Sequence, residues 1–298
     1  MGRSKGEKVY TRAQLLRKVK LMKWLASHSR VAGKATKKRD GKELYLDTNE
    51  GKLRVLTYNF ERSEKLPLFI NMHGGGFILG HAEMDDPYLM YVAKQANVKI
   101  INVDYSTSPE VIFPKAVNEC HSVVKYAKEH ADEFGIDAEK IAVGGHSAGG
   151  TLSAAICLMD ALKHELGIRC VILDYPPLDI YTDPYLKPQP KGSLPPNMCR
   201  IFNACYCISK EERKNPLVSP LFASIEQLKI FPPTLILTAG RDSLCHEGEA
   251  FRDKLLQAGV PVTHRRFENS LHGFTLSEKP DAVEGWQMMI DFLKQKLC

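Results

Sequence analysis

The segment 141–164 constrains the fold most tightly. Ile141-Ala142-Val143-Gly144 reads as a short buried strand, and Gly150 through His164 as an Ala-rich helix. Between them the chain must reverse within Gly145-His146-Ser147-Ala148-Gly149. Glycines flank the serine because so tight a turn leaves no room for side chains there. The strain lifts the Ser147 hydroxyl clear of the sheet, at the positive end of the following helix. A bare G-x-S-x-G arises often by chance. Set between a strand and a helix, it is specific enough to favour an exposed nucleophile over an idle serine in a glycine-rich turn.

The rest of the chain beyond residue 40 repeats that strand-then-helix rhythm. Glu43–Thr48 and Leu53–Phe60 read as a hairpin turning at Asn49-Glu50-Gly51. Leu68–Met72, Lys99–Val103, Cys170–Asp174, Thr234–Thr238 and Val262–Phe267 have strand length and are mostly rich in Ile, Leu and Val. Helical periodicity fills 86–96, 115–131, 148–164, 246–258 and 281–296. The expected class is therefore α/β: a mostly parallel central sheet with helices on both faces. Two segments break the rhythm, the basic N-terminus and the proline-rich stretch Asp179–Ser219. Both are expected to lie over the open end of the sheet. The expected division is a catalytic domain of residues 41–178 and 220–298, an N-terminal basic cap segment at 1–40 and a cap insertion at 179–219.

A second glycine cluster, His73-Gly74-Gly75-Gly76, follows the strand Leu68–Met72. Consecutive glycines after a buried strand leave backbone N–H groups unshielded, as an oxyanion site requires. No G-K-[ST] accompanies them, which argues against a phosphate loop. A serine nucleophile needs a base, and the base an orienting acid. Asp242 stands just past the strand Thr234–Thr238, and His272 in a short loop before the last helix. Asp174 and Asp179 are rival acids, but both precede the insertion, so Asp242 is preferred. His146 points away from its neighbour Ser147 and reads as a shaping residue; His73 reads as an anchor for the glycine loop, and His264 as part of a solvated strand face.

Taken together, these segments resemble the hormone-sensitive lipase family of α/β-hydrolases, the bacterial family IV carboxylesterases. The resemblance rests on His73-Gly74-Gly75-Gly76-Phe77, Asp104-Tyr105 with Pro109-Glu110 and Phe113-Pro114, Gly145–Gly150, Ala239-Gly240-Arg241-Asp242, and Leu271-His272-Gly273-Phe274. Asn215–Pro220 resembles the segment leading out of that family's cap. Two departures stand out: His146 where the family usually carries Asp or Thr, and Ser106 where its motif carries Arg. The resemblance implies a Ser147–His272–Asp242 triad, oxyanion donors at the N–H groups of Gly75, Gly76 and Ala148, and ester hydrolysis through an acyl-enzyme. It also implies short to medium acyl chains, a small-molecule ester as the partner, and a monomer or homodimer. An amidase, peptidase or formamidase with the same triad, and a ligand-binding protein on the same scaffold, stay open.

Charge and cysteine content bear on partners and compartment. Residues 1–39 hold thirteen Lys or Arg against the single acid Glu7, and the remaining chain holds twenty-eight basic and thirty-four acidic side chains. Leu15, Leu16, Val19, Met22, Leu25 and Ala26 recur at near-helical spacing among Arg17, Lys18, Lys20 and Lys23, an amphipathic helix. Either it caps the pocket or it anchors the protein on a membrane surface; the resemblance favours the cap. Those same cations interrupt any signal-peptide core in Leu15–Leu25. Eight cysteines without a C-x-x-C pair point to a reducing, cytoplasmic setting. No histidine grouping suits zinc, and neither a metal nor an organic cofactor is expected. Nucleic acid is not expected as a partner.

Overall fold

The computed structural model describes residues 10–27 and 39–297, and the structural statements that follow refer to these. Eight strands form one sheet: β1 (Lys42–Thr48), β2 (Gly51–Tyr58), β3 (Leu66–Met72), β4 (Lys99–Val103), β5 (Ile136–His146), β6 (Cys170–Asp174), β7 (Thr234–Ala239) and β8 (Val262–Phe267). Their spatial order is β1-β2-β4-β3-β5-β6-β7-β8. The β1–β2 hairpin and the β2–β4 pair are antiparallel, and every other pair is parallel. The expected α/β class is borne out. The hairpin register pairs Thr48 with Gly51, so Asn49-Glu50 makes the two-residue turn.

Every residue of β3, β4, β6 and β7 is buried, as parallel strands covered on both faces should be. Alternation sorts their side chains into two cores. Leu68, Ile70, Met72 and Val143 face one way, toward α3 (Lys115–Glu129), α5 (Ala148–Lys163) and α8 (Cys245–Gln257). Phe69, Ala142, Leu235 and Leu237 face the other, toward α2 (Asp86–Ala96) and α9 (Pro280–Leu297). Burying each such Leu or Ile side chain contributes about 2 kcal/mol, which makes this double cover the main stabilising term.

The helix expected over 115–131 is interrupted. α3 ends at Glu129; the His130 ring Nδ1 hydrogen-bonds the Tyr126 carbonyl at 2.9 Å, and the short α4 (Ala131–Phe134) closes on Gly135 at φ +59°. The remaining helices are α1 (Arg12–Ser27), α6 (Pro196–Tyr206) and α7 (Ile225–Leu228). α1 and α6 form a third cluster: Leu15 and Val19 of α1 pack with Ile201 and Cys205 of α6 and with Ile78 from the loop after β3. No described helix is long and apolar enough to cross a membrane.

Candidate active site

Parallel strands deliver their carboxyl ends to one edge, and each candidate residue lies just past such an end. His73 follows β3, Ser147 follows β5, Tyr175 follows β6, and Asp242 follows β7. At the β5–α5 junction Ser147 adopts φ 51°, ψ −118°, a region that non-glycine residues rarely occupy. The turn can be this sharp because Gly149 lies against β3: a Cβ there would sit 1.9 Å from the Met72 carbonyl oxygen. The Ser147 amide donates to the Asp174 carbonyl at 2.8 Å, which ties the turn to β6.

The three expected triad residues are brought together. His272 Nε2 lies 2.9 Å from Ser147 Oγ, and His272 Nδ1 lies 2.6 Å from Asp242 Oδ2. A carboxylate can only accept, so Nδ1 carries the proton and the neutral ring leaves the Nε2 lone pair facing the serine hydroxyl. Asp242 is 1% exposed, and its other oxygen accepts the Leu244 amide at 3.2 Å. The acid is thus fixed in place out of water, where a charge-assisted hydrogen bond is strongest.

Beside this group, Gly75 and Gly76 hold φ values of +115° and +63°. A Cβ at Gly75 would lie 1.7 Å from the Leu79 carbonyl oxygen, because the chain curls back so that Leu79 donates to the Gly75 carbonyl at 2.8 Å. Both glycines line the same cavity as Ser147 and His272. Ala148 opens α5, and first-turn N–H groups have no acceptor within their own helix. His73 is fully buried; its Nδ1 hydrogen-bonds the Gly74 carbonyl at 2.7 Å and its ring stacks on Tyr105 at 4.1 Å. Burial lowers its pKa, so it stays neutral and holds the glycine loop.

The rival acids serve elsewhere. Asp179 accepts the amides of Tyr181 and Thr182 in a local turn. Asp174 takes part in a second, buried His–Asp pair. His146 Nδ1 lies 2.7 Å from Asp174 Oδ2, and Thr275, three residues past His272, donates its hydroxyl to the same oxygen at 2.6 Å. Tyr175 bonds Thr275 through its hydroxyl at 3.0 Å and turns its ring edge-on to His272, with centroids 4.9 Å apart. Burial opposes charge on His146, but Asp85 and Asp174 outweigh it and raise its pKa; burial likewise raises Asp174 against the pull of His146. The network ties the loop carrying His272 to the strand carrying Ser147. Sequence reading did not find it, because its partners are separated by 28 and 101 residues. His264 is not simply solvated: half-buried, it bridges Thr238 Oγ1 at 3.0 Å and Arg252 at 3.1 Å.

The cavity in front of the serine measures about 220 Å³ and is predominantly apolar, with Phe77, Leu79, Leu194, Met198, Phe202 and Leu276 among its walls. At its margin Lys187 donates to the buried Glu247 and to the Asp179 carbonyl. Cys245 is buried and its thiol is pushed up to about 11 by that burial, so it is poorly suited to act as a nucleophile. The seven described cysteines are all free, and no described cluster of His, Cys, Asp or Glu suits a metal ion.

Comparison with known proteins converges on one family. Residues 69–276 match the alpha/beta hydrolase fold family. An arylesterase of Saccharolobus solfataricus is 30% identical over 235 residues, covering 78% of this chain and 76% of the relative. An AB hydrolase superfamily protein of Schizosaccharomyces pombe is 31% identical over 221 residues; the match covers 69% of this chain and 62% of that longer relative. A hyperthermophilic esterase from the archaeon Pyrobaculum calidifontis superposes with a TM-score of 0.83 at 27% identity, covering 95% of this chain and 96% of the other. With these matches and the strand-end motifs above, the chain belongs to the alpha/beta hydrolase fold family, in the branch that resembles hormone-sensitive lipase.

Proposed function

We propose that the chain is a serine carboxylesterase acting on esters of short to medium acyl chains. The observation that carries the reading is the Ser147–His272–Asp242 hydrogen-bond chain opening into an apolar cavity. Ser147 Oγ attacks the ester carbonyl as His272 Nε2 takes its proton, and Asp242 holds the imidazole tautomer and stabilises the imidazolium. The carbonyl oxygen becomes an oxyanion facing the N–H groups of Gly75, Gly76 and Ala148; losing one such donor costs about 3 kcal/mol in the barrier. The tetrahedral adduct collapses, His272 gives its proton to the departing alcohol, and the acyl group stays on Ser147. Water then attacks with His272 again as base, releasing the acid and restoring the serine.

Ligand pockets commonly occupy about 300–1,000 Å³. A cavity of about 220 Å³ is therefore small, which favours compact acyl groups. Segments 10–27 and 179–219 act in this reading as a cap, because α6 supplies Met198 and Phe202 to the cavity wall and α1 packs against α6. The relatives named for ester hydrolysis support the same chemistry.

The test is a panel of nitrophenyl acyl esters of graded length, with matched amides and peptides, run on the wild type and on Ser147→Ala. Turnover of short esters that falls by more than a thousandfold in Ser147→Ala is expected, by analogy with other serine triads. Preferential cleavage of the amides, or residual ester turnover above a tenth of wild type, would overturn the assignment.

A further inference from the structure

The cavity in front of Ser147 is apolar on most sides, but four polar side chains outside the triad and its supporting network also line it: Asp179, Lys187, Asn203 and Ser243. Asn203 is held in one orientation. Its Nδ2 donates to the Ile180 carbonyl at 3.1 Å, and a carbonyl only accepts, so the amide oxygen is the atom left over. Asp179 uses Oδ1 to accept the amides of Tyr181 and Thr182. Asn203 Oδ1, Asp179 Oδ2 and the Ser243 hydroxyl have no hydrogen-bond partner among the described residues, and none of the three is sealed off from the surrounding space. Polar atoms inside a protein normally find partners, so three free ones in one cavity call for a ligand that supplies them.

These groups gather on one side. Cys199 stands one turn before Asn203 on α6 and also lines the cavity. Burial pushes its thiol up to about 11, and it lies close enough to Lys187, Asp242 and Glu247 to feel their charges. Ser243 directly follows Asp242 in the chain. The polar side therefore borders the acid end of the triad. The glycine loop meets an apolar wall instead, since a Cβ on Gly76 would lie 2.5 Å from the Phe202 ring.

Charge narrows the choice of ligand. Lys187 donates to Glu247 and to the Asp179 carbonyl, so this side holds one cation with two carboxylates. A further anion would meet that excess of negative charge, and a further cation would stand beside the Lys187 ammonium. An uncharged hydroxyl suits the site, because it can donate to Asn203 Oδ1 or Asp179 Oδ2 and accept from the Ser243 hydroxyl. In a cavity of about 220 Å³, an ester held at Ser147 brings its substituents within reach of every wall. Apolar walls set how much fits, and the few polar atoms set which group points where. We propose that this polar side selects esters carrying an uncharged hydroxyl a few bonds from the scissile carbonyl, such as partly acetylated polyols, over esters that are alkyl throughout. The proposal deepens the esterase reading and rests on it.

The experiment measures kcat/KM of the full chain for glyceryl monoacetate, propyl acetate, acetylcholine and the anion of monoethyl succinate, by titrating the acid released. Each value is divided by the rate constant for alkaline hydrolysis of the same ester, which removes intrinsic reactivity. The wild type is expected to prefer glyceryl monoacetate to propyl acetate by about tenfold and to rank both charged esters below it, as one or two added hydrogen bonds allow. Ser243→Ala and Asn203→Leu should each lower that preference by about three- to tenfold, through the loss of one such bond. The Ser243 hydroxyl has no internal partner to lose, so Ser243→Ala should melt as the wild type does. It decides the question even where Asn203→Leu, which frees the Ile180 carbonyl, does not fold. A wild type without the preference, or a preference unchanged in every folded variant, would overturn the proposal. A charged ester ranked first would do the same by assigning the polar side to ions. If the wild type turns over no ester, nitrophenyl acetate included, the esterase reading fails and takes the proposal with it; ester turnover without the preference sinks the proposal alone.

Discussion

Replacing Ser147 by glycine should give a more stable protein than replacing it by alanine, although neither can form an acyl-enzyme. The residue sits at φ 51°, ψ −118°, where a Cβ carries a strain of about 1–3 kcal/mol. Both variants lose the 2.9 Å contact with His272, so the comparison between them isolates the Cβ. Alanine keeps the strain. Glycine removes it and gives back about 0.5–1 kcal/mol through the greater freedom of its unfolded chain. The difference should therefore favour glycine by about 1 kcal/mol, within a range of about 0–2.5 kcal/mol. In a domain of this size about 1 kcal/mol moves Tm by about 2 °C, which differential scanning calorimetry resolves, and urea denaturation should give the same sign. Alanine exceeding glycine in stability would mean that the elbow is not held against its backbone preference. The physical account of how the hydroxyl is lifted from the sheet would then be wrong.

Four further outcomes follow from the two His–Asp pairs and the Lys187–Glu247 ion pair. Asp242→Asn should cut ester turnover by about 10⁴-fold through the wrong His272 tautomer. Asp174→Asn should keep most of the turnover and instead cost about 1–3 kcal/mol in urea denaturation; the reverse ranking in turnover would move the acid role to Asp174. Because the His146 pKa is raised in the fold, its contribution is fully present below the unfolded histidine value and fades as pH climbs through the folded one. The stability gap between wild type and His146→Asn should thus narrow from pH 6 toward alkaline pH in denaturation series, and a widening gap would contradict the sign. Lys187→Met leaves the buried Glu247 without its cation and should cost about 3–5 kcal/mol, while Lys187→Met/Glu247→Leu should recover much of that on the same assay.

Much of the fold could be read in advance because strand ends and helix starts are local signals. Lys99–Val103, Cys170–Asp174 and Val262–Phe267 are strands with the bounds expected from the sequence. The candidate triad was also within reach, since a parallel sheet carries every strand's carboxyl end to one edge, and Ser147, Asp242 and the glycine loop each follow such an end. α6 escaped the reading even though Pro195-Pro196 was a usable sign: proline is favoured at the first helical position. The interruption of α3 also escaped, because His130 continues the helical periodicity while its backbone leaves helical geometry at φ −106°, ψ 27° and its ring turns to the Tyr126 carbonyl. The apolar positions of α1 read as one stripe, whereas tertiary packing divides them, taking Leu15 and Val19 inward and leaving Leu16 and Leu25 out.

His146 illustrates why adjacency in sequence is a poor guide to chemistry at such a turn. It immediately precedes Ser147, yet Ser147 leaves the strand at φ 51°, ψ −118° and the two side chains separate. The imidazole that reaches the serine hydroxyl comes from 125 residues away, while His146 pairs behind it with Asp174. A charged or neutral residue at position 146 can therefore change without touching the reacting atoms, provided Asp174 keeps a donor. Thr275 supplies a second hold on the same carboxylate oxygen from the loop of His272. That shared oxygen explains how a chain with His where its family usually carries Asp or Thr can still set His272 beside Ser147. The unusual residue is met by a buried acid on the neighbouring strand, and the two together anchor the loop that delivers His272.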